Sequence, residues 1–323
     1  MVESELISTP FTAASTADEV LRGFDLTGVR AIVTGSSSGI GIETARALTA
    51  AGAEVTLAVR NIAAGEAVAE SIRDSTGGIR PRAAPLDLAD TATVARFVEA
   101  WRGPLHLLIN NAGVVTGGLE RTRAGWEVQF ATNHLGHFAL AAGLHGALAL
   151  GASDRAGSRI VAVSSTAHMR SGIDFDDLHF EHRSYDPQIA YAQSKTANSL
   201  FAVEATRRWA ADGIVANAVN PGGVSTGLQR NFTPEQRQSL DAAEAAGVFT
   251  YKTVEQGAAT SIVAAVWPPF GHSGGRYLDD AQEAYPVPND ADLAQHPHGV
   301  KEWALDPDLA GRLWAVSTDL LNA

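Results

Sequence analysis

From residue 29 onward, short β-branched runs alternate with alanine-rich stretches of helical spacing. The runs Arg30–Thr34, Glu54–Val59, Arg82–Leu86, Leu105–Asn110, Arg159–Ser164, Ile214–Val219 and Gly275–Leu278 predict seven strands. Between them, Ile40–Ala50, Ala63–Ser71, Thr91–Trp101, Arg123–Leu150, Gln188–Ala211 and Val254–Trp267 predict helices, and Asp308–Leu321 predicts a last one. Leu107-Leu108-Ile109 is apolar at every position, the pattern of a strand covered on both faces. Strands and helices in this alternation predict one doubly wound α/β domain. Its sheet is expected to be mostly parallel, with helices on both faces.

The two ends read differently. Residues 1–27 are polar and rich in Ser, Thr and Ala, an expected N-terminal arm; 28–280 form the core domain, and 281–323 a C-terminal extension with a final helix. Prolines recur between 268 and 308, and the stretch from Arg276 to Asp308 holds eight acids and two bases. That composition predicts a solvated, turn-rich tail.

Composition narrows the function. Of 323 residues 45% are hydrophobic, enough for a substantial core, and the formal charge of −12 disfavours nucleic acid as a partner. The absence of cysteine excludes disulfides, thiolate zinc sites and cysteine nucleophiles. The start, Met-Val-Glu-Ser-Glu, is acidic where an export signal needs a basic region, so a cytoplasmic location is expected. The longest apolar stretch, Phe138–Ala152, is 15 residues and interrupted by His145, too short for a membrane span. It reads equally as core or as a subunit interface, which leaves a homo-oligomer open.

The first strand runs directly into Gly35-Ser36-Ser37-Ser38-Gly39-Ile40-Gly41, and a helix follows. A pyrophosphate needs close backbone approach and the free amides of a helix N-terminus, which this arrangement supplies in the order of a Rossmann-type dinucleotide site. After the second strand comes Val59-Arg60-Asn61, where an NAD site would carry an acid for the ribose 2′-hydroxyl. A guanidinium suits a 2′-phosphate, so NADP(H) is expected over NAD(H). Asp87-Leu88 after the third strand and Asn111-Ala112-Gly113 after the fourth lie at strand C-termini, where open α/β sheets bind ligands.

Tyr191 and Lys195 are four apart on a predicted helix and share one face. An ammonium beside a phenol is expected to lower its pKa from about 10 toward the working range of a general acid or base. The chain has 21 Arg and three Lys, so a lysine here carries weight. Ser165, at the tip of the fifth strand with Ser164 as fallback, can hydrogen-bond a reacting oxygen. Asn133 is a buried amide inside a helical pattern, and such a group needs a specific partner such as an ordered water.

These residues, in this order, resemble the short-chain dehydrogenase/reductase family across about residues 28–280. Asn-His-Leu-Gly-His-Phe from Asn133 and Val-Ser-Ser-Thr-Ala-His from Val163 are similar to its retinol-dehydrogenase-type branch. The resemblance implies Tyr191 as general acid/base, Ser165 positioning the substrate oxygen and Lys195 binding the nicotinamide ribose. It further implies Asn133 holding a relay water, with Pro221, Gly222, Val224 and Thr226 along the cofactor. The branch also resembles light-dependent protochlorophyllide reductases, whose cysteines this chain lacks.

The expected activity is therefore NADP-dependent hydride transfer between nicotinamide and the carbonyl or alcohol of a small, apolar substrate. Met169, Ile173, Phe175, Leu178, Leu228, Phe232 and Phe249 lie on the segments expected to cover the pocket. A non-catalytic NADP-binding sensor or scaffold on the same fold is the alternative, and a nucleotide-sugar epimerase a more distant one. No metal site is expected: His134/His137 read as packing and His296/His298 as turn residues, without the partners a site requires.

Overall fold

The structure is a computed structural model that describes residues 6–155, 157–225, 238, 244 and 250–322. A short helix α1 (Ala17–Leu21) precedes β1 (Arg30–Thr34), α2 (Ile40–Ala50), β2 (Glu54–Val59), α3 (Ile62–Thr76), β3 (Arg82–Pro85), α4 (Thr91–Ala100) and β4 (Leu107–Asn110). Next come α5 (Val128–Phe130), a π turn (Ala131–Leu135), α6 (Gly136–Gly143), α7 (His145–Asp154) and β5 (Ser158–Val163). α8 (Pro187–Trp209), β6 (Ile214–Asn220), α9 (Val254–Val266) and β7 (Tyr277–Asp279) follow. β8 (Gln282–Glu283), β9 (Tyr285–Val287), β10 (Gly299–Lys301) and α10 (Pro307–Asn322) complete the described chain.

The main sheet has the order β3-β2-β1-β4-β5-β6-β7-β8, parallel except for β8. This is the doubly wound Rossmann-type architecture expected, with eight strands in place of seven. The extra strand arises because Asp280 and Ala281 take left-handed backbone (φ 49° and 63°), folding the chain back on β7. Asp280 is a residue type that visits this region, but Ala281 is not, so the sequence carries only a partial sign of it. Side chains alternate across the sheet: Ala31, Val33 and Ile109 face α2 and α9, while Ile32, Leu108 and Ala162 face the layer of α4, α6 and α8. The strand order reverses between β1 and β4, which opens a crevice at their C-terminal ends.

Two expectations need correction. The single helix over Arg123–Leu150 is three helical segments, with a bend of 59° between the α5–α6 run and α7. Glu127 starts it late, because its carboxylate accepts from the amides of Gln129 and Phe130. The bend follows Gly143, where a Cβ would lie 2.8 Å from Val98, so α6 packs close against α4. The tail over 268–308 is not merely solvated. It buries Ala284, Val287, Val300 and Ala304 and pairs β9 with β10 in parallel. Among the described residues no single helix is long and apolar enough to cross a membrane.

Both chain ends pack onto the core. In the arm, Phe11 sits edge-on to Trp267 at 5.1 Å, and Thr9 and Ile7 hydrogen-bond Gln282 and Glu283. At the other end α10 covers α8 and α6. Trp314 meets Phe138 at 4.8 Å and Trp209 at 5.1 Å, and Leu313 is buried against the layer of Phe130 and Leu200. The apolar stretch beginning at Phe138 is thus largely covered by the chain itself. Leu313→Ala is expected to lower unfolding stability by ~2–5 kcal/mol, read from urea denaturation at constant slope. An unchanged midpoint would mean that α10 is not docked.

Candidate active site

The C-terminal ends of β1, β4, β5 and β6 bring most of the singled-out residues to one edge of the sheet. Thr34, the last residue of β1, is fully buried and organises the crevice. Its Oγ1 accepts from the amides of Asn111 and Ala112, each at 2.9 Å, and lies 2.8 Å from His137 Nε2. His137 Nδ1 lies 2.9 Å from the Asn133 carbonyl, to which it can only donate, so Nε2 is bare and takes the Thr34 proton. Burial pushes the His137 pKa down to about 4, which keeps the ring neutral. The sequence reading assigned this histidine to packing and gave Thr34 no role. A hydroxyl ending an otherwise apolar strand was the available clue.

The glycine-rich turn fits a dinucleotide. A Cβ on Gly41 would fall 2.6 Å from Asn111 Nδ2 and 2.7 Å from the Gly35 carbonyl, so no larger residue leaves this turn intact. Gly39 caps α2 without any side-chain hydrogen bond, which leaves the helix's first amides for an anion. Ser37 and Ile40 are half-buried and Ser38 exposed beside it. Ser36 differs from expectation: its hydroxyl is buried and donates to the Val33 carbonyl at 2.9 Å, so only its backbone faces the turn's purpose.

Arg60 is exposed just past the end of β2, while Val59 is buried with a methyl against Gly65 of α3. Asn61 caps α3 through its side chain, which accepts from Ala64. Asp87 accepts from the Ala89 amide at 3.0 Å, and Leu88 is buried in the core under α6, so its side chain is structural. Gly113 faces the catalytic residues: a Cβ there would sit 3.5 Å from Lys195 Nζ and 3.6 Å from Asn133 Oδ1. Pro221 is buried, Gly222 half-buried, and Val224 buried against Gly257 of α9. Thr226, Leu228, Phe232 and Phe249 lie outside the described residues.

At the centre, the Ser165 hydroxyl lies near enough to the Tyr191 phenol to favour its ionised form, and Lys195 Nζ lies 5.5 Å from the Tyr191 ring centroid. Lys195 is 2% exposed and donates to the Val163 carbonyl at 2.9 Å. Ser164 turns inward instead, donating to the Lys195 carbonyl at 2.8 Å, which separates the two serines. The electrostatics correct the sequence argument. Burial pushes Tyr191 up to about 12 and Lys195 down to about 8, so the phenol follows desolvation and not the lowering expected from the ammonium. The neighbouring Ser165 hydroxyl acts the other way on Tyr191.

Asn133 lies in the π turn, a local widening that recurs at functional sites. Its Oδ1 accepts from Val114 N at 2.8 Å, and its Nδ2 donates to Val114 O at 3.1 Å and Ser194 Oγ at 3.0 Å. Those partners commit the side chain to bracing the loop after β4 and the Tyr191 helix.

Supporting groups absent from the sequence reading surround this core. Tyr185 donates to Glu127 at 3.0 Å, and Gln129 Nε2 donates to Tyr185 Oη at 2.8 Å and to the Pro187 carbonyl at 3.1 Å, fixing the start of α8. His168 Nδ1 lies 2.8 Å from the Ser165 carbonyl, and its Nε2 accepts from the Lys301 amide at 3.3 Å. Ile173, Phe175 and Leu178, expected over the pocket, instead pack under α10, and Met169 is buried. Among the described residues the one group with metal-like spacing is Asp279, Asp280 and His298, whose members pair with each other and with Lys252.

Comparison with known proteins agrees with this geometry. The family model for short chain dehydrogenases matches residues 30–237. A "Probable oxidoreductase" of Streptomyces antibioticus is 50% identical over 93% of this chain and 99% of its own. Human retinol dehydrogenase 11 is 36% identical over 92% and 87%. Among solved structures, the Pseudomonas aeruginosa RhlG/NADP active-site complex superposes with a TM-score of 0.65 at 26% identity, covering 79% of this chain and 96% of that one. With a dinucleotide turn at the switch point and a Ser–Tyr–Lys cluster facing it, the chain belongs to the short-chain dehydrogenase/reductase family, in its retinol-dehydrogenase-like branch.

Proposed function

We propose that this oxidoreductase uses NADP(H) to interconvert a carbonyl and an alcohol on a small apolar substrate. The carrying observation is the buried Lys195 ammonium 5.5 Å from the Tyr191 ring, with the Ser165 hydroxyl beside the phenol. The bound cofactor supplies or accepts the hydride. In carbonyl reduction, Tyr191 donates its phenolic proton to the substrate oxygen, and Ser165 holds that oxygen within reach. In alcohol oxidation the phenolate takes the proton back. Lys195 holds its charge near Tyr191, toward the space over Gly113 where a nicotinamide ribose hydroxyl is expected. Arg60, exposed beyond β2, is the proposed partner of the 2′-phosphate. Support for an apolar substrate comes from the retinol dehydrogenase among the relatives. An assay panel of apolar aldehydes, ketones and alcohols with both cofactors tests it.

Tyr191→Phe is expected to lower turnover by ~10²–10⁴-fold while leaving cofactor affinity, measured by fluorescence titration, as in the wild type. Retained turnover would remove Tyr191 as the acid/base and favour a role in binding alone. Arg60→Ala removes a charge-assisted contact, so NADPH affinity should fall roughly ten- to a hundredfold with NADH affinity unchanged. An equal effect on both cofactors would defeat the NADP assignment. In pH–rate profiles, reduction should stay level up to the Lys195 value of about 8 and decline above it as the ammonium deprotonates. Oxidation should rise through the neutral range, because the Tyr191 phenolate becomes more populated toward about 12.

A further inference from the structure

Behind the Ser165 turn lies a buried polar assembly that neither transfers a proton nor forms the glycine-rich turn. Asn220, the last residue of β6, is 5% exposed. Its Nδ2 donates to Thr166 Oγ1 at 2.8 Å and to Asp279 Oδ1 at 3.0 Å. Its Oδ1 accepts from the Gly222 amide at 3.2 Å and the Thr166 amide at 3.3 Å. An amide has two donor hydrogens and two acceptor lone pairs, so the side chain is fully used. Thr166 follows Ser165 directly, and Gly222 belongs to the segment that the family resemblance sets along the cofactor. One side chain therefore ties the proton-transfer wall to the cofactor wall.

Asp279 dictates which way that amide points. An ionised carboxylate only accepts, so the NH₂ of Asn220 must face it, and the oxygen is left for Gly222 and Thr166. Asp279 is held in turn: its Oδ2 is 2.8 Å from His298 Nδ1, contributed by the C-terminal extension. The neighbouring Asp280 pairs with Lys252, whose stem lies against Gly222. A Cβ on Gly222 would come within 2.9 Å of Lys252 Cε, and its φ of +85° already disfavours other residues.

We propose that Asn220, oriented by Asp279, is a positioning residue that sets the Gly222 segment in register with the Ser165 turn. The nicotinamide end of the cofactor is thereby seated opposite Ser165 and Tyr191. The inference rests on the reading of the dinucleotide and proton-transfer sites given above, and it extends the site into the C-terminal extension.

The test compares two ligands by fluorescence or calorimetric titration: NADPH, and 2′-phospho-ADP-ribose, which lacks only the nicotinamide. If the wild type prefers NADH, the pair becomes NADH and ADP-ribose. Asn220→Asp sets two carboxylates against each other and should weaken NADPH binding by about tenfold, leaving the nicotinamide-free ligand unaffected. The double variant Asn220→Asp/Asp279→Asn exchanges acceptor and donor and should restore NADPH binding. Thr166→Val, a near-isostere that deletes a single bond, should show a smaller loss with the same selectivity, even if Asn220→Asp fails to fold. A purely structural role would weaken both ligands alike, or neither, and the double variant would not restore the difference. Either pattern overturns the inference. Tyr191→Phe with full activity would instead sink the proton-transfer reading and leave this binding comparison intact.

Discussion

The active edge of this protein depends on placing one ammonium where water scarcely reaches. Lys195 is buried, and the Val163 carbonyl is its one hydrogen-bond partner among the described side-chain contacts. Burial that lowers a lysine to about 8 makes its charge costly, and the same burial raises the adjacent phenol to about 12. Such a pair is poor at acid–base exchange when no ligand is near. It becomes useful when a substrate oxygen and a cofactor bring hydrogen bonds and charge to it. The structure keeps the pair rigid: Ser164 and Ser199 lock the α8 backbone from behind, and Asn133 braces Ser194 from the side.

The sheet order supplies the other half. Reversal between β1 and β4 leaves the α2 amides and the Asn111–Gly113 loop facing the same crevice. Thr34, just before the glycine-rich turn, ties the Asn111–Gly113 loop to His137, and the neutral His137 passes the tie on to the π turn that carries Asn133. Cofactor turn and proton-transfer helix are thus parts of one buried hydrogen-bond system, in which unpaired groups would be costly.

The segments outside the family-model match pack onto the same core, and the C-terminal one reaches the site. The arm buries Phe11 against Trp267 beside α9. The C-terminal extension reaches the back of the catalytic turn through the Lys301 amide and the Trp303 indole on His168 and through His298 on Asp279. Catalytic geometry needs support beyond the groups that touch substrate, and here much of it comes from residues after 280.

The doubly wound fold, the bounds of β1, β2 and α2, and the grouping of Ser165, Tyr191 and Lys195 were legible in the sequence. The fold and the element bounds rest on local periodicity and Tyr191 with Lys195 on spacing along one helix, while Ser165 joined them through the family resemblance. The break after Gly143, the fold-back at Asp280 and the burial of Ile173, Phe175 and Leu178 under α10 were not legible. They are fixed by packing between segments distant in sequence. The same division separates the site's chemistry from its tuning. Residue type and order named the phenol, the ammonium and the glycine turn, but the direction of the Tyr191 shift was decided by desolvation, a property of the surroundings. Thr34, His137, His168, Asn220 and Asp279 acquired their parts only when the folded chain brought each donor opposite an acceptor, because hydrogen-bond partners 54 to 133 residues apart leave no periodic trace in a sequence.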